Sequence, residues 1–197
     1  GFPAGSRVTL VTGGAAPATS YPPNVQKRVI KALRRLGITV LPDACTGVGP
    51  GEVLLASGAR LACDAPLLAV GAQAPGWLAG SGLALDDAGF LAVNAFQQSL
   101  RHPHVFAAGD VASRIDAPHP RSGVYAVRAG PPLLTNLRAA LQDQPLVPYT
   151  PPARTLNLLA CGARYAIASW GKLSFEGRWV WHWKDHIDRK FVARYAS

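Results

Sequence analysis

The sequence predicts an α/β fold, and three observations carry that prediction. A strand-like run, RVTLV from Arg7 to Val11, an amphipathic segment from Asn24 to Leu36 and a second strand from Ile38 to Leu41 follow one another in βαβ order. Short apolar runs that end at glycine, such as LLAVGA and VFAAGD, have the form of buried strands. After PLVPYTPPAR, where four prolines lie between Pro145 and Arg154, the texture changes to short strands and a terminal helix, a smaller α+β segment.

The first strand leads into GGAAPATSYPP, a loop by its Gly and Pro content. Asn24 is placed to cap the helix that follows, with Val25, Val29, Leu33 and Leu36 on one face and Gly37 as its stop. Lys27, Arg28, Lys31, Arg34 and Arg35 occupy the other face, which reads as solvated surface. The stretch TGVGPGEVLLASGARLACD then predicts a small antiparallel meander with turns at Gly49 to Gly51 and at Ser57-Gly58.

Pro66 to Val70 is expected to be a buried strand ending in the sharp exit GAQAP. Gly89 to Val93 and Val105 to Ala108 are expected as two more strands. Gly123 to Leu141 predicts a helix, with Pro131-Pro132 allowing a break near its middle. Past the proline-rich stretch, Thr155 to Ala160 and Tyr165 to Ser169 form a hairpin around Cys161-Gly162, and Lys172 to Phe175 adds a third strand. The tail RWVWHWKDHIDRKFVARY is a helix with Trp179 or Val180, Trp183, Ile187 and Phe191 along one side, and Trp179 and Trp183 are expected to bury against the hairpin.

Composition narrows the function. The chain has 197 residues, 49% of them hydrophobic, and an excess of 20 Lys+Arg over 11 Asp+Glu gives a net charge of +9. That charge permits anionic ligands, but the basic residues are scattered and no nucleic-acid recognition module accompanies them, so no nucleic-acid partner is expected. Cys45, Cys63 and Cys161 form no CxxC, so neither a zinc site nor a dithiol pair can be read from their spacing, and a reducing compartment, the cytoplasm, is the simpler expectation. His182 and His186 stand four residues apart without an HExxH or a third ligand, so no metal site is expected. The opening GFPAG and the lack of any Met lead to the expectation that the chain is a fragment of something longer.

The most informative stretch is HPHVFAAGDVA, His102 to Ala112. Asp110 closes a buried apolar run, and no Lys or Arg follows it until Arg114. Together with LLAVGAQAP upstream, this stretch resembles the paired motifs of the FAD-dependent pyridine nucleotide-disulfide oxidoreductases, the two-dinucleotide-domain, glutathione-reductase-like flavoproteins that include type II NADH dehydrogenases. RSGVYAVRAGPPLLTNLRAAL and YAIASWGKLSFEGRWVWHWKDHIDRKF resemble the branch fused in front of selenophosphate synthase.

The resemblance implies a fold and a set of roles. Residues 1–78 would be a portion of an NAD(P)-binding domain, 79–146 the returning segment of the FAD domain, and 147–197 a C-terminal α+β domain, an incomplete form of the two-dinucleotide fold. Asp110 would accept a hydrogen bond from a ribitol hydroxyl of FAD, Gly109 would let the backbone pass close to it, and the N–H groups of Val124 and Tyr125 would face the polar edge of the flavin. A carboxylate without a cation suits a hydroxyl-rich ligand; capping a local turn is the alternative.

No residue is singled out as catalytic. NAD(P)H would be the reductant, and the acceptor is open. Thr12 stands where NADH-using relatives commonly carry Glu or Asp, and Tyr125 and Ala129 stand where quinone-reducing relatives carry Gln. No GxGxxG occurs, so the chain alone is expected to be inactive. The competing reading is a docking or membrane-interface module, with Trp179, Trp181 and Trp183 beside Lys184, Arg189, Lys190 and Arg194 at a peripheral membrane surface or packed on a partner; separately, apolar sheet edges left by missing strands would favour pairing of copies into a homo-oligomer.

Overall fold

The computed structural model describes residues 5–196. In chain order the elements are β1 (Thr9–Val11), α1 (Pro23–Arg35), β2 (Thr39–Leu41), β3 (Cys45–Gly49), β4 (Glu52–Leu55), β5 (Arg60–Ala62), β6 (Leu91–Val93), β7 (Ala112–Arg114), α2 (Gly123–Leu141), β8 (Leu156–Ala160), β9 (Ala166–Trp170), β10 (Leu173–Gly177) and α3 (Arg178–Ala193). Single 3-10 turns occur at Gly76–Gly80 and Gly109–Val111. The chain divides between two compact units, residues 1–68 with 154–197, and 69–153. In the first unit the C-terminal hairpin shares a core with α1.

In the first unit, β1 and β2 pair in parallel around α1, as the βαβ reading requires. The expected meander is present as the antiparallel order β3-β4-β5. The C-terminal sheet has the order β10-β9-β8, and its central strand alternates as a strand covered on both faces must. Ile167 packs on Val25 and Ala32 of α1. Ala166 and Ala168 on the other face pack against Val180 of α3.

Three local expectations about this unit are corrected. Helix α1 begins at Pro23, a residue whose missing N–H costs nothing in the first turn. Asn24 therefore lies inside the helix and does not cap it; its Nδ2 donates to the Lys172 carbonyl at 3.0 Å. The basic face of α1 is only partly solvated, since Arg28 pairs with Glu176 and Arg35 stacks on Tyr165 at 4.0 Å. In α3 it is Val180 that is buried, whereas Trp179 and Trp183 are 56% and 40% exposed. Val180 packs on Ala166 and Ala168 with Leu156, Leu158 and the half-buried Trp181 around it, so the helix turns Trp181, not Trp179 or Trp183, toward the sheet.

The second unit contains β6 and β7, parallel partners with Val93 opposite Arg114. Leu91, Val93, Ala107 and Ala112 form its core. The run Val105 to Ala108 contributes to this core without forming a strand. It makes one antiparallel bridge, Gln98 to Phe106, and the Ala107 N–H donates to the Gln97 carbonyl. Pro66 to Val70 is neither strand nor buried: Leu67, Leu68 and Val70 are 84%, 70% and 74% exposed. Apolar composition marks a segment able to be buried, but burial also needs a neighbouring strand, and none among the described residues pairs with this run.

Helix α2 runs unbroken through Pro131 and Pro132. The prolines remove the helical donors to the Val127 and Arg128 carbonyls, and both residues are exposed, so water can take those bonds. Asn136 anchors the helix from a fully buried position. Its Nδ2 donates to the Phe96 and Val147 carbonyls at 3.0 and 2.9 Å, and its Oδ1 accepts from the Val147 N–H at 2.8 Å.

Candidate functional site

The turn at Gly109–Val111 and the start of α2 meet within the second unit. Ala108 is extended, Gly109 takes φ +74°, and the chain reverses through Asp110. A Cβ on Gly109 would lie 3.4 Å from the Ala126 side chain, so the glycine serves both a left-handed conformation and a close approach to the helix. The Asp110 side chain is exposed at this turn and has no hydrogen-bond or ionic partner among the described residues.

Ser122 precedes α2, but its side chain makes no cap bond. Among the described residues, the N–H groups of Gly123, Val124 and Tyr125 find no acceptor either, which leaves the positive end of a 19-residue helix open. Gly109, Asp110 and Tyr125 line one recess of about 20 Å³ with Ser122 and Ala126, whereas Val124 lies outside its wall. That volume admits a water or the polar edge of a ligand, not a whole ring system. His119 stacks on Tyr125 at 4.4 Å, covering one side.

Sequence reasoning missed the deeper portion of this site. Arg114 is buried, and its Nε and Nη2 donate to the Asp116 carboxylate at 3.0 and 2.9 Å. These bonds hold the Asp116 carboxyl below its ordinary value, with burial opposing the shift. Arg114 therefore serves Asp116 and leaves Asp110 free. Gln97 and Tyr149 line the same recess, and Gln97 Oε1, Arg114 Nη1 and the Tyr149 hydroxyl are buried without partners. The Arg114-x-Asp116 spacing, which puts two residues on one side of an extended chain, is the only signal in the sequence for any of this.

A second ion pair involves Arg121, which also lines the recess. Arg121 bonds Asp86 at 3.2 Å and lies 3.4 Å over the Phe90 ring. Burial raises the Asp86 carboxyl, but bonds from Ser113, Phe90 and Ala88 and the charge of Arg121 outweigh it and leave the group below its ordinary value. In the other unit, Thr12 follows β1 and turns its hydroxyl onto the Leu41 carbonyl at 3.3 Å. Among the described residues no group of three His, Cys, Asp or Glu could hold a metal ion, and no helix is long and apolar enough to cross a membrane.

Residues 3–130 match the pyridine nucleotide-disulphide oxidoreductase family. The chain belongs to that family. The fold agrees: the crystal structure of Fdr9 superposes with a TM-score of 0.59 at 22% identity, covering 83% of this chain and 48% of that one. Reduced Bacillus anthracis CoADR-RHD gives 0.65 at 21% identity, covering 84% and 30%. The covalent putidaredoxin reductase–putidaredoxin complex gives 0.63 at 20% identity, covering 84% and 40%. This member of the family thus spans less than half the length of each of these structures. No curated protein sequence matches it.

The residues present fit the polar edge of a flavin, not its ring system. A glycine that brings backbone close to a helix start, an unpaired carboxylate, an open positive helix end and orphaned buried polar atoms all converge on one recess.

Proposed function

We propose that this chain supplies a portion of the FAD site of a flavoprotein oxidoreductase that uses NAD(P)H. When bound, the flavin would take a hydride from the reduced nicotinamide and pass electrons to an acceptor whose identity stays open. Asp110 would accept from a ribitol hydroxyl, Gly109 would let the chain approach the cofactor, and the open N–H groups at Val124 and Tyr125 would offset negative charge at the polar edge of the ring. In this reading residues 1–78 belong to the NAD(P)-binding domain, 79–146 to the FAD-binding domain and 147–197 to a C-terminal domain.

The observation that carries the reading is the pairing of a partnerless Asp110 with an uncapped α2 in one recess. In the intact protein Asp110→Ala should weaken FAD by roughly ten- to a hundredfold, the range of one charge-assisted hydrogen bond. Unchanged FAD affinity in a titration followed by flavin fluorescence would remove Asp110 from the site.

The exposed stripe on α3 favours a second reading, contact with an anionic membrane surface. Trp179, Trp183, Ile187 and Phe191 follow one another at helical spacing and remain accessible. Two nearby cations are spent on the helix itself, since Lys184 pairs with Asp188 and Arg189 with Asp185.

A further inference from the structure

The net charge of +9 is not shared between the two units. Residues 69–153 contain five Lys or Arg and five Asp or Glu, so the whole excess lies in residues 1–68 and 154–197. In the sequence those cations are scattered, but the fold gathers several of them into one band. Lys27, Lys31 and Arg34 are exposed and fall at i, i+4 and i+7, a single ridge of α1 on the side opposite the buried Val25 and Ala32.

The C-terminal sheet extends this ridge at both ends. Near the helix start the Asn24 Nδ2 bonds the carbonyl of the exposed Lys172, and the exposed Arg154 side chain lies 3.4 Å from where a Cβ on the neighbouring Gly171 would stand. At the helix end, Arg35 lies 4.0 Å over the Tyr165 ring and donates to the Cys161 carbonyl. Among the described residues, the one carboxylate within ion-pair reach of any of these cations is that of Glu176, which lies 3.8 Å from Lys31 and is already held by Arg28 at 2.7 Å. The band is therefore a row of like charges whose mutual repulsion an anionic partner would relieve.

We infer that this band binds the phosphate backbone of a duplex nucleic acid without reading its bases. Three features select that partner. No large apolar side chain of α1 is exposed, so the band lacks the anchors on which protein partners and membranes depend, whereas a duplex backbone is bound by positive charge. The aromatic ring in the band, Tyr165, is covered by Arg35, which leaves it no open face for stacking the bases of a single strand. The 13 residues of α1 extend about 20 Å, a match to roughly six phosphates of one strand at a spacing of roughly 3.4 Å. Contacts of this kind position a protein on the duplex and carry no sequence information, so no recognition module is needed.

The test is the fluorescence anisotropy of a labelled DNA duplex of about 20 base pairs, titrated with the intact protein at roughly 25 to 200 mM salt. Binding should weaken as salt rises. The triple variant Lys27→Gln, Lys31→Gln, Arg34→Gln should bind roughly tenfold more weakly or worse at low salt, with a log–log salt slope shallower by about 2 to 3. A second triple variant, Arg178→Gln, Lys190→Gln, Arg194→Gln, removes the same charge from exposed positions of α3 and its end, and should stay near the wild type. No binding at the lowest salt, equal losses in the two variants, or tighter binding of a single strand or of polyglutamate than of the duplex would each overturn the inference. If the first variant does not fold, Lys27→Gln with Arg34→Gln replaces it, and a wild-type slope in that double variant overturns the inference equally.

Discussion

Arg28 of α1 meets Glu176 of β10 at 2.7 Å, and the Arg28 Nε reaches the Ser174 hydroxyl at 3.1 Å. These bonds join the first helix to a strand near the other end of the chain. They add to the apolar contacts of Ile167 with Val25 and Ala32 between the same elements. The Glu176 side chain is 17% exposed, so solvent screens the pair less than an open surface bridge. Glu176→Gln should cost about 1 kcal/mol in urea unfolding, and a double-mutant cycle with Arg28→Met should show coupling of similar size. Independent effects of the two substitutions would mean that the hairpin is held by its apolar contacts alone.

Stability in acid should depend on Asp116. Its bonds from Arg114 place the folded carboxyl below the ordinary value of 3.8. The unfolded chain then binds protons more readily, so the stabilisation is complete well above 3.8 and is lost as pH falls through the lowered value. The gap in urea midpoint between the wild type and Asp116→Asn should be present at neutral pH and close as the solution passes below 3.8. A gap of constant size across that range would show that Asp116 contributes through shape, not charge.

The α3 stripe makes a separate prediction. If it meets a membrane, the protein should sediment with phosphatidylserine vesicles and lose most of that binding at high salt, because screening shortens the reach of Arg178, Lys190 and Arg194. Removing both indoles with Trp179→Ala and Trp183→Ala should abolish the residual binding. Equal sedimentation of that double variant and the wild type would exclude the stripe as the contact.

Elements whose burial is settled within a few residues are legible in the sequence. The three-stranded C-terminal sheet can be read because Leu156 to Ala160 and Ala166 to Trp170 flank a Gly-containing turn, and α1 because Val25 and Val29 repeat at helical spacing before Gly37. Pro66 to Val70 misleads because apolar composition does not reveal whether a partner strand lies alongside. Trp179 and Trp183 mislead because their size suggests burial, while the helix faces the sheet with Val180 and Trp181. Within the site, Gly109 and Asp110 stand out as an abrupt end to an apolar run. Arg114, Gln97 and Tyr149 do not, since their meeting depends on the parallel pairing of β6 with β7 and on a left-handed turn at Gln97, neither of which leaves a local pattern.

The measurement that bears most directly on the proposed flavin site is an absorbance spectrum of the intact protein, taken before and after addition of NADH and, separately, NADPH. The expected result is a flavin band at about 450 nm that bleaches with at least one of the two nucleotides. A colourless protein that takes up no added FAD, or a flavin band that neither nucleotide bleaches, would contradict it.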